Sequence, residues 1–299
     1  MQLQYDIVHT TTYRYAEPVR FGEHRVMFRP RDSHDQRVLA TDLQVMPASD
    51  IRLIQDPHSN SIALVRPREE ADALTIVCSF TIEHVHGEVL DHPLSPSAAF
   101  LPVAYDVQEH LDLAHYLRPH HDDPDGVLAD WARSFLVDQG PTGTRDMLVR
   151  MNEFIRSNFA YAARDEEGTQ TPLQTLASKS GSCRDFALLM MEAVRRLGLA
   201  ARFVSGYLYD PALDEAASAD GGQPITGAGV THAWVQVYLP GAGWVGFDPT
   251  NNIFDGSRLF RVAVTRDPAH AAPVSGSWFG KPGAYLGMEV SVTVTLRRT

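Results

Sequence analysis

The sequence predicts an α+β protein. A β-sandwich-like N-terminal domain is expected over residues 1–90, an irregular connection over 91–125, and a core over 126–299 in which helices pack on an antiparallel sheet. Three observations carry this reading. Apolar and polar residues alternate in the first 90 residues, the period of half-buried strands. Between 125 and 197 the apolar residues recur at helical spacing instead. Strand-like runs then return, two of them joined by the turn Pro240-Gly241-Ala242-Gly243.

Leu74 to Ile82 is the clearest N-terminal strand: Leu74, Ile76, Cys78, Phe80 and Ile82 share one face, with Thr75, Ser79 and Thr81 on the other. Cys78 therefore lies with the apolar residues and reads as a buried, inert thiol. Pro18, Pro30, Pro47 and Pro57 break the region into short antiparallel strands. Residues 91–125 are rich in Pro, His and Asp and read as an irregular connection holding one helical turn or a short helix. His110, His115, His120 and His121 fall there without a partner constellation, so they read as solvated rather than as metal ligands.

Helices follow. Asp125 to Gln139 places Val127, Leu128, Trp131, Phe135 and Leu136 on one stripe. Thr144 to Asn158 does the same with Met147, Leu148, Met151, Phe154 and Ile155, and Thr144 suits an N-cap. Thr171-Pro172 suits another helix start. A helix opened by Cys183 carries Phe186, Ala187, Met190, Ala193, Val194 and Leu197, and Gly198 stops it. Strands are expected over 202–209, 231–239 and 243–248, with a flexible loop over 211–229. Met288, Val290, Val292, Val294 and Leu296 form one face of a last strand.

Of 299 residues, 44% are hydrophobic and 21% charged, as in soluble globular proteins. The net charge of −11 favours neither a nucleic-acid nor an anionic-membrane partner. Two cysteines are too few for a disulfide scaffold and lack paired zinc spacing. No apolar run is long enough to span a bilayer, and the N-terminus lacks a signal-peptide pattern. The expectation is a cytoplasmic protein with free thiols.

The chemistry gathers around three residues. Cys183 opens its helix, where unpaired backbone N–H groups and the positive end of the helix dipole favour an anionic sulfur and can hold an oxyanion. Gly181 gives a tight approach and leaves room for substrate. His232 and Asp248 lie on the two strands around Pro240. A symmetric hairpin centred there sets 232 opposite 248 and 234 opposite 246, with Cβ atoms about 4.5–5.5 Å apart. The carboxylate could then hold the imidazole in one tautomer, and Trp234 and Trp244 could wall the site. Taken singly, a helical cysteine and a strand histidine are usually structural. Together and matched in facing, they read as nucleophile, base and orienting acid. Asp185 reads as a hydrogen-bonding residue of the first helical turn. Arg184 could bind substrate or simply be exposed, and the exposed reading is favoured.

At these residues the sequence resembles the bacterial transglutaminase-like superfamily, whose core is related to papain-like cysteine enzymes. The matching stretches are Gly181-Ser182-Cys183-Arg184-Asp185-Phe186-Ala187, residues 197–207, His232-Ala233-Trp234, and Gly243-Trp244 through Asp248-Pro249-Thr250-Asn251. Tyr5, His9, Thr10, Thr12, Tyr13 and Phe28-Arg29-Pro30-Arg31 resemble the β domain that often precedes this core. The resemblance implies a papain-like core and a Cys183-His232-Asp248 triad that attacks an amide through a thioester, with no cofactor. The thioester is resolved by water or by a second amine, with hydrolysis of a protein or peptide substrate favoured over cross-linking. The other alternative is a non-catalytic binding module that retains the fold, against which the intact triad argues. It suggests Tyr161, Ser182 and Trp234 near substrate or oxyanion, although a core role suits Tyr161 better. Animal relatives need calcium; no calcium loop is recognisable here, and Asp165-Glu166-Glu167 reads as a solvated charge run.

Overall fold

In β1 (Gln2–Phe21) the buried positions Tyr5, Ile7, His9 and Thr11 alternate with more exposed ones, so one face of this long strand is committed to a core. A computed structural model describes residues 2–85, 92–163, 168–211, 229–254 and 258–297. The acidic run 165–167 and nearly all of the loop expected over 211–229 lie outside the described residues.

After β1 come β2 (His24–Val26), β3 (Gln36–Met46), β4 (Ser49–Gln55), β5 (Ser61–Pro67) and β6 (Ala71–Val85). β6 runs antiparallel between β1 and β3, and β5 between β2 and β4. The inner faces of both sheets contribute to one apolar cluster, giving the expected sandwich-like arrangement. Cys78 is 2% exposed within it, and burial pushes its thiol up to about 12.

The second half begins with β7 (Phe100–Leu101), α1 (Val107–Leu117), α2 (Val127–Arg133), β8 (Thr142–Gly143) and α3 (Thr144–Asn158). Next come β9 (Ala160–Tyr161), α4 (Pro172–Ser178), β10 (Ser180–Gly181) and α5 (Cys183–Arg196). A five-stranded sheet follows, built from β11 (Ala201–Leu208), β12 (His232–Leu239), β13 (Gly243–Asp248), β14 (Ile253–Phe254) and β15 (Leu259–Thr265) in the order β14-β13-β12-β11-β15. Every pairing in it is antiparallel. α5 is the central helix: from Ser182 to Arg195 every residue but Arg184 is buried. It packs between the other helices and the sheet face that carries Phe203, Ala233, Val235, Val237 and Phe247.

The chain then returns to its beginning. β16 (Val274–Ser275) pairs with β2, while β17 (Trp278–Phe279) and β18 (Tyr285–Leu296) pair with β1. The last strand, which the sequence reading grouped with the core, thus hydrogen-bonds to the N-terminal sheet. Tyr207 of β11, Tyr209 just past it, and Phe260 and Val262 of β15 join the N-terminal cluster from the other side. Asn60 meets β15 as a strand would, donating to Val264 O at 2.8 Å and accepting from Val264 N at 2.9 Å.

Three local expectations need correction. The helix read over 125–139 ends at Arg133, because the chain tightens into i→i+3 bonds at Phe135 and Leu136. The connection holds α1, an eleven-residue helix with an Asp106–Glu109 capping box. Its signal was weak because Val107 and Leu111 are exposed apolar residues. The histidines there are not simply solvated. His120 Nε2 lies 2.7 Å from Asp267, and the backbone N–H groups of His120 and His121 donate to the buried Glu192. Glu192 also pairs with Arg195 at 2.8 Å and Arg196 at 2.9 Å, so this network ties the connection to the C-terminal end of α5.

Candidate active site

The start of α5 is fixed by a buried carboxylate. Asp185 Oδ2 accepts from Ser182 N and Ser182 Oγ, both at 2.8 Å, and Oδ1 accepts from Gln170 N at 2.7 Å. This satisfies donors that a helix N-terminus leaves over and sets the position of Cys183, the first helical residue. The Ser182 hydroxyl is therefore committed to the cap and does not face substrate. Gly181 has a different reason from the expected one: a Cβ there would stand 2.8 Å from Asp185 Cβ, so the space belongs to the cap.

His232 sits at the start of β12 and Asp248 at the end of β13. Pro240-Gly241 occupies the centre of a turn closed by Ala242 N donating to Leu239 O, with Gly241 at φ +95°. Leu239 consequently pairs with Gly243 and Gln236 with Gly246, a register two residues away from the symmetric one expected. A shift of two keeps every side chain on its face. His232 and Asp248 thus remain on one side of the sheet but stand diagonally, and Trp234 takes the place opposite the aspartate.

The diagonal pair still meets. His232 Nε2 donates to Asp248 Oδ2 at 2.9 Å, with both side chains fully buried. The carboxylate is further held by Asn251 Nδ2 at 3.0 Å on Oδ2 and by Thr250 N at 2.9 Å on Oδ1. With Nε2 engaged, Nδ1 is the nitrogen left to serve the thiol; among the described residues it is held by no hydrogen bond. Burial opposes protonation of the ring. The Asp248 charge, the Cys183 charge and the hydrogen bond to Asp248 outweigh it and raise the imidazole to about 10. The structure thus brings sulfur, imidazole and carboxylate into one electrostatic unit. Of the three residues the cysteine retains the most exposure, 6% against 1% and 0%.

The remaining expected residues divide. Tyr161 is no core tyrosine: it is 38% exposed on β9, which runs parallel to β10 with Tyr161 beside Gly181. Burial of part of the ring raises its hydroxyl pKa, and the Cys183 charge raises it further, so the phenol lies near the sulfur. Trp234 is fully buried, its ring stacked at 24° and 6.3 Å on His232, and so it backs the imidazole without reaching substrate. Trp244 does not wall the site. It lies under Arg202 at 4.1 Å and against Tyr116. No group of three or more metal-ligating side chains occurs among the described residues.

Sequence reasoning missed the support behind the aspartate. Asn252 adopts φ +55° just past Asp248, and Asn152 of α3, fully buried, donates to Asn252 Oδ1 at 2.9 Å. Asparagine in a left-handed turn was the available signal.

The transglutaminase-like superfamily matches residues 130–249, and the bacterial transglutaminase-like N-terminal region matches residues 5–83. An uncharacterized protein of Mycobacterium tuberculosis is 30% identical over 288 residues, covering 91% of this chain and 87% of its own. The chain belongs to the transglutaminase-like superfamily. An uncharacterized protein of Mycobacterium leprae is 26% identical over 96% of this chain and 97% of its own. Among solved structures, a candidate cysteine protease from Cytophaga hutchinsonii superposes with a TM-score of 0.72, covering 98% of this chain and 91% of its own at 19% identity. That likeness is one of fold. In this transglutaminase-like chain both matched regions include residues described above: Cys183, His232 and Asp248 in the core, Tyr5 and His9 at the N-terminal end.

Proposed function

We propose that this transglutaminase-like protein is a cysteine hydrolase of peptide or glutamine-type amides. The observation that carries the reading is the buried Asp248–His232 pair whose ring is raised to about 10 with the Cys183 sulfur acting on it. A ring so held accepts the thiol proton and keeps it as imidazolium, leaving a nucleophilic sulfur. Cys183 Sγ attacks the amide carbonyl carbon, and the resulting oxyanion is met by the Cys183 N–H, which has no intrahelical partner at this position. His232 returns its proton to the leaving nitrogen, the C–N bond breaks, and a thioester remains. Water, deprotonated by His232, attacks the thioester; the acid leaves and the thiol is restored. Asp248 holds the ring throughout without taking the proton.

Hydrolysis is preferred over amine transfer because it needs only water at the thioester, and Cys183 is the least buried of the three residues. The test is mass spectrometry of a peptide library incubated with and without a primary amine. Hydrolysed products in both conditions, absent in Cys183→Ala, are expected. Exclusive amine adducts would make the protein an acyltransferase, and no product with either would remove the enzyme reading.

A further inference from the structure

Three arginines lie on α5. Arg195 and Arg196 stand at its C-terminal end, where the helix dipole favours cations, and both pair with Glu192. Arg184 stands in the first turn, where the dipole disfavours a cation. It is the one residue between Ser182 and Arg195 that reaches the surface. Among the described residues it makes no hydrogen bond or ion pair, since its neighbour Asp185 is turned inward to cap the helix. Tyr161 pairs with Gly181, two residues before Cys183, and the charges acting most strongly on its hydroxyl are those of Cys183 and then Arg184, so these three residues share one locality. A guanidinium in this position makes no bond that supports the fold among the described residues, and its five donors are unengaged on the residue next to the nucleophile.

We propose that Arg184 is a specificity-determining residue that binds a carboxylate of the substrate next to the scissile amide. A planar guanidinium recognises a carboxylate through paired N–H···O bonds, whether it belongs to an acidic side chain or to a chain terminus. This inference rests on the nucleophilic role proposed for Cys183.

The test uses two alkylating probes of one shape and different charge, iodoacetate and iodoacetamide, with labelling followed on the Cys183 peptide. Any general change in thiol reactivity cancels in the ratio of the two rates. Arg184→Gln is expected to lower the iodoacetate-to-iodoacetamide ratio about threefold to tenfold, and Arg184→Lys to keep most of it. The wild-type preference should shrink with salt, since the group is half-exposed. Peptide pairs then separate the carboxylate sources: Glu against Gln beside the cleaved bond, and a free against an amidated C-terminus. A selective rise in KM for one acidic member in Arg184→Gln identifies the source. Fast labelling of Cys183 with a ratio unchanged in Arg184→Gln overturns the role of Arg184 and leaves the nucleophile standing. Slow labelling by both probes in the wild type overturns the nucleophile, and this proposal with it.

Discussion

Replacing Asp248 by Asn removes a charge while keeping an oxygen of the same shape, and so isolates the electrostatic part of the triad. Asp248 Oδ2 lies 2.9 Å from His232 Nε2 with both groups buried, and its charge is the largest favourable influence on the ring. An opposite charge at such range moves a pKa by about 1–3. The His232 ring, at about 10 in the native protein, should therefore titrate about 1–3 lower in Asp248→Asn. Each step of one pKa is about 1.4 kcal/mol, so the charged ring loses about tenfold to 1,000-fold in stabilisation, and amide hydrolysis should slow by a similar factor. The sign for stability follows. The raised ring contributes fully below pH 6.5, and that contribution disappears as pH rises through about 10. The stability gap between wild type and Asp248→Asn should thus be wide at pH 6 and close above pH 10. The assay is NMR titration of imidazole resonances, with His232 assigned by its loss in His232→Gln. A wild-type ring titrating near 6.5, or an unchanged ring in Asp248→Asn, would refute the reasoning.

Two further substitutions test the scaffold. Gly181→Ala forces a Cβ to 2.8 Å from Asp185 Cβ, and urea unfolding should show a loss of about 1–3 kcal/mol from overpacking. Glu192→Ala leaves the buried Arg195 uncompensated and should cost about 3–5 kcal/mol in the same measurement. The rate per folded molecule should survive it, because nine residues of helix, about 14 Å, separate Glu192 from Cys183.

The elements that were legible from sequence are those whose local signals agreed with their burial. β6 and α5 show this: the apolar positions read in β6 and in α5 up to Val194 are buried, although α5 buries Asp185, Glu192 and Arg195 as well, and Cys183 and Gly198 bound the helix as read. α1 was hidden because its exposed face carries Val107 and Leu111, which blur the amphipathic period. The His232–Asp248 contact was readable for a physical reason, since an error of two residues in register cannot move a side chain to the other face. A bulge of one residue would have destroyed the inference. The Ser182–Asp185 cap is a local i,i+3 contact and agrees with the hydrogen-bonding role read for Asp185, whereas Asn152 as the partner of Asn252 and the burial of Trp234 behind the imidazole depend on tertiary neighbours that no local pattern encodes. The return of β18 to β1 is of the same kind, because strand partners more than 250 residues apart leave no local trace.

The most direct test of the sulfur–imidazole–carboxylate unit is the rate at which iodoacetamide labels Cys183 at pH 6 in wild type and in His232→Ala. An imidazolium beside the sulfur predicts rapid labelling in the wild type that is lost in the variant. Equal, slow labelling of both would contradict it.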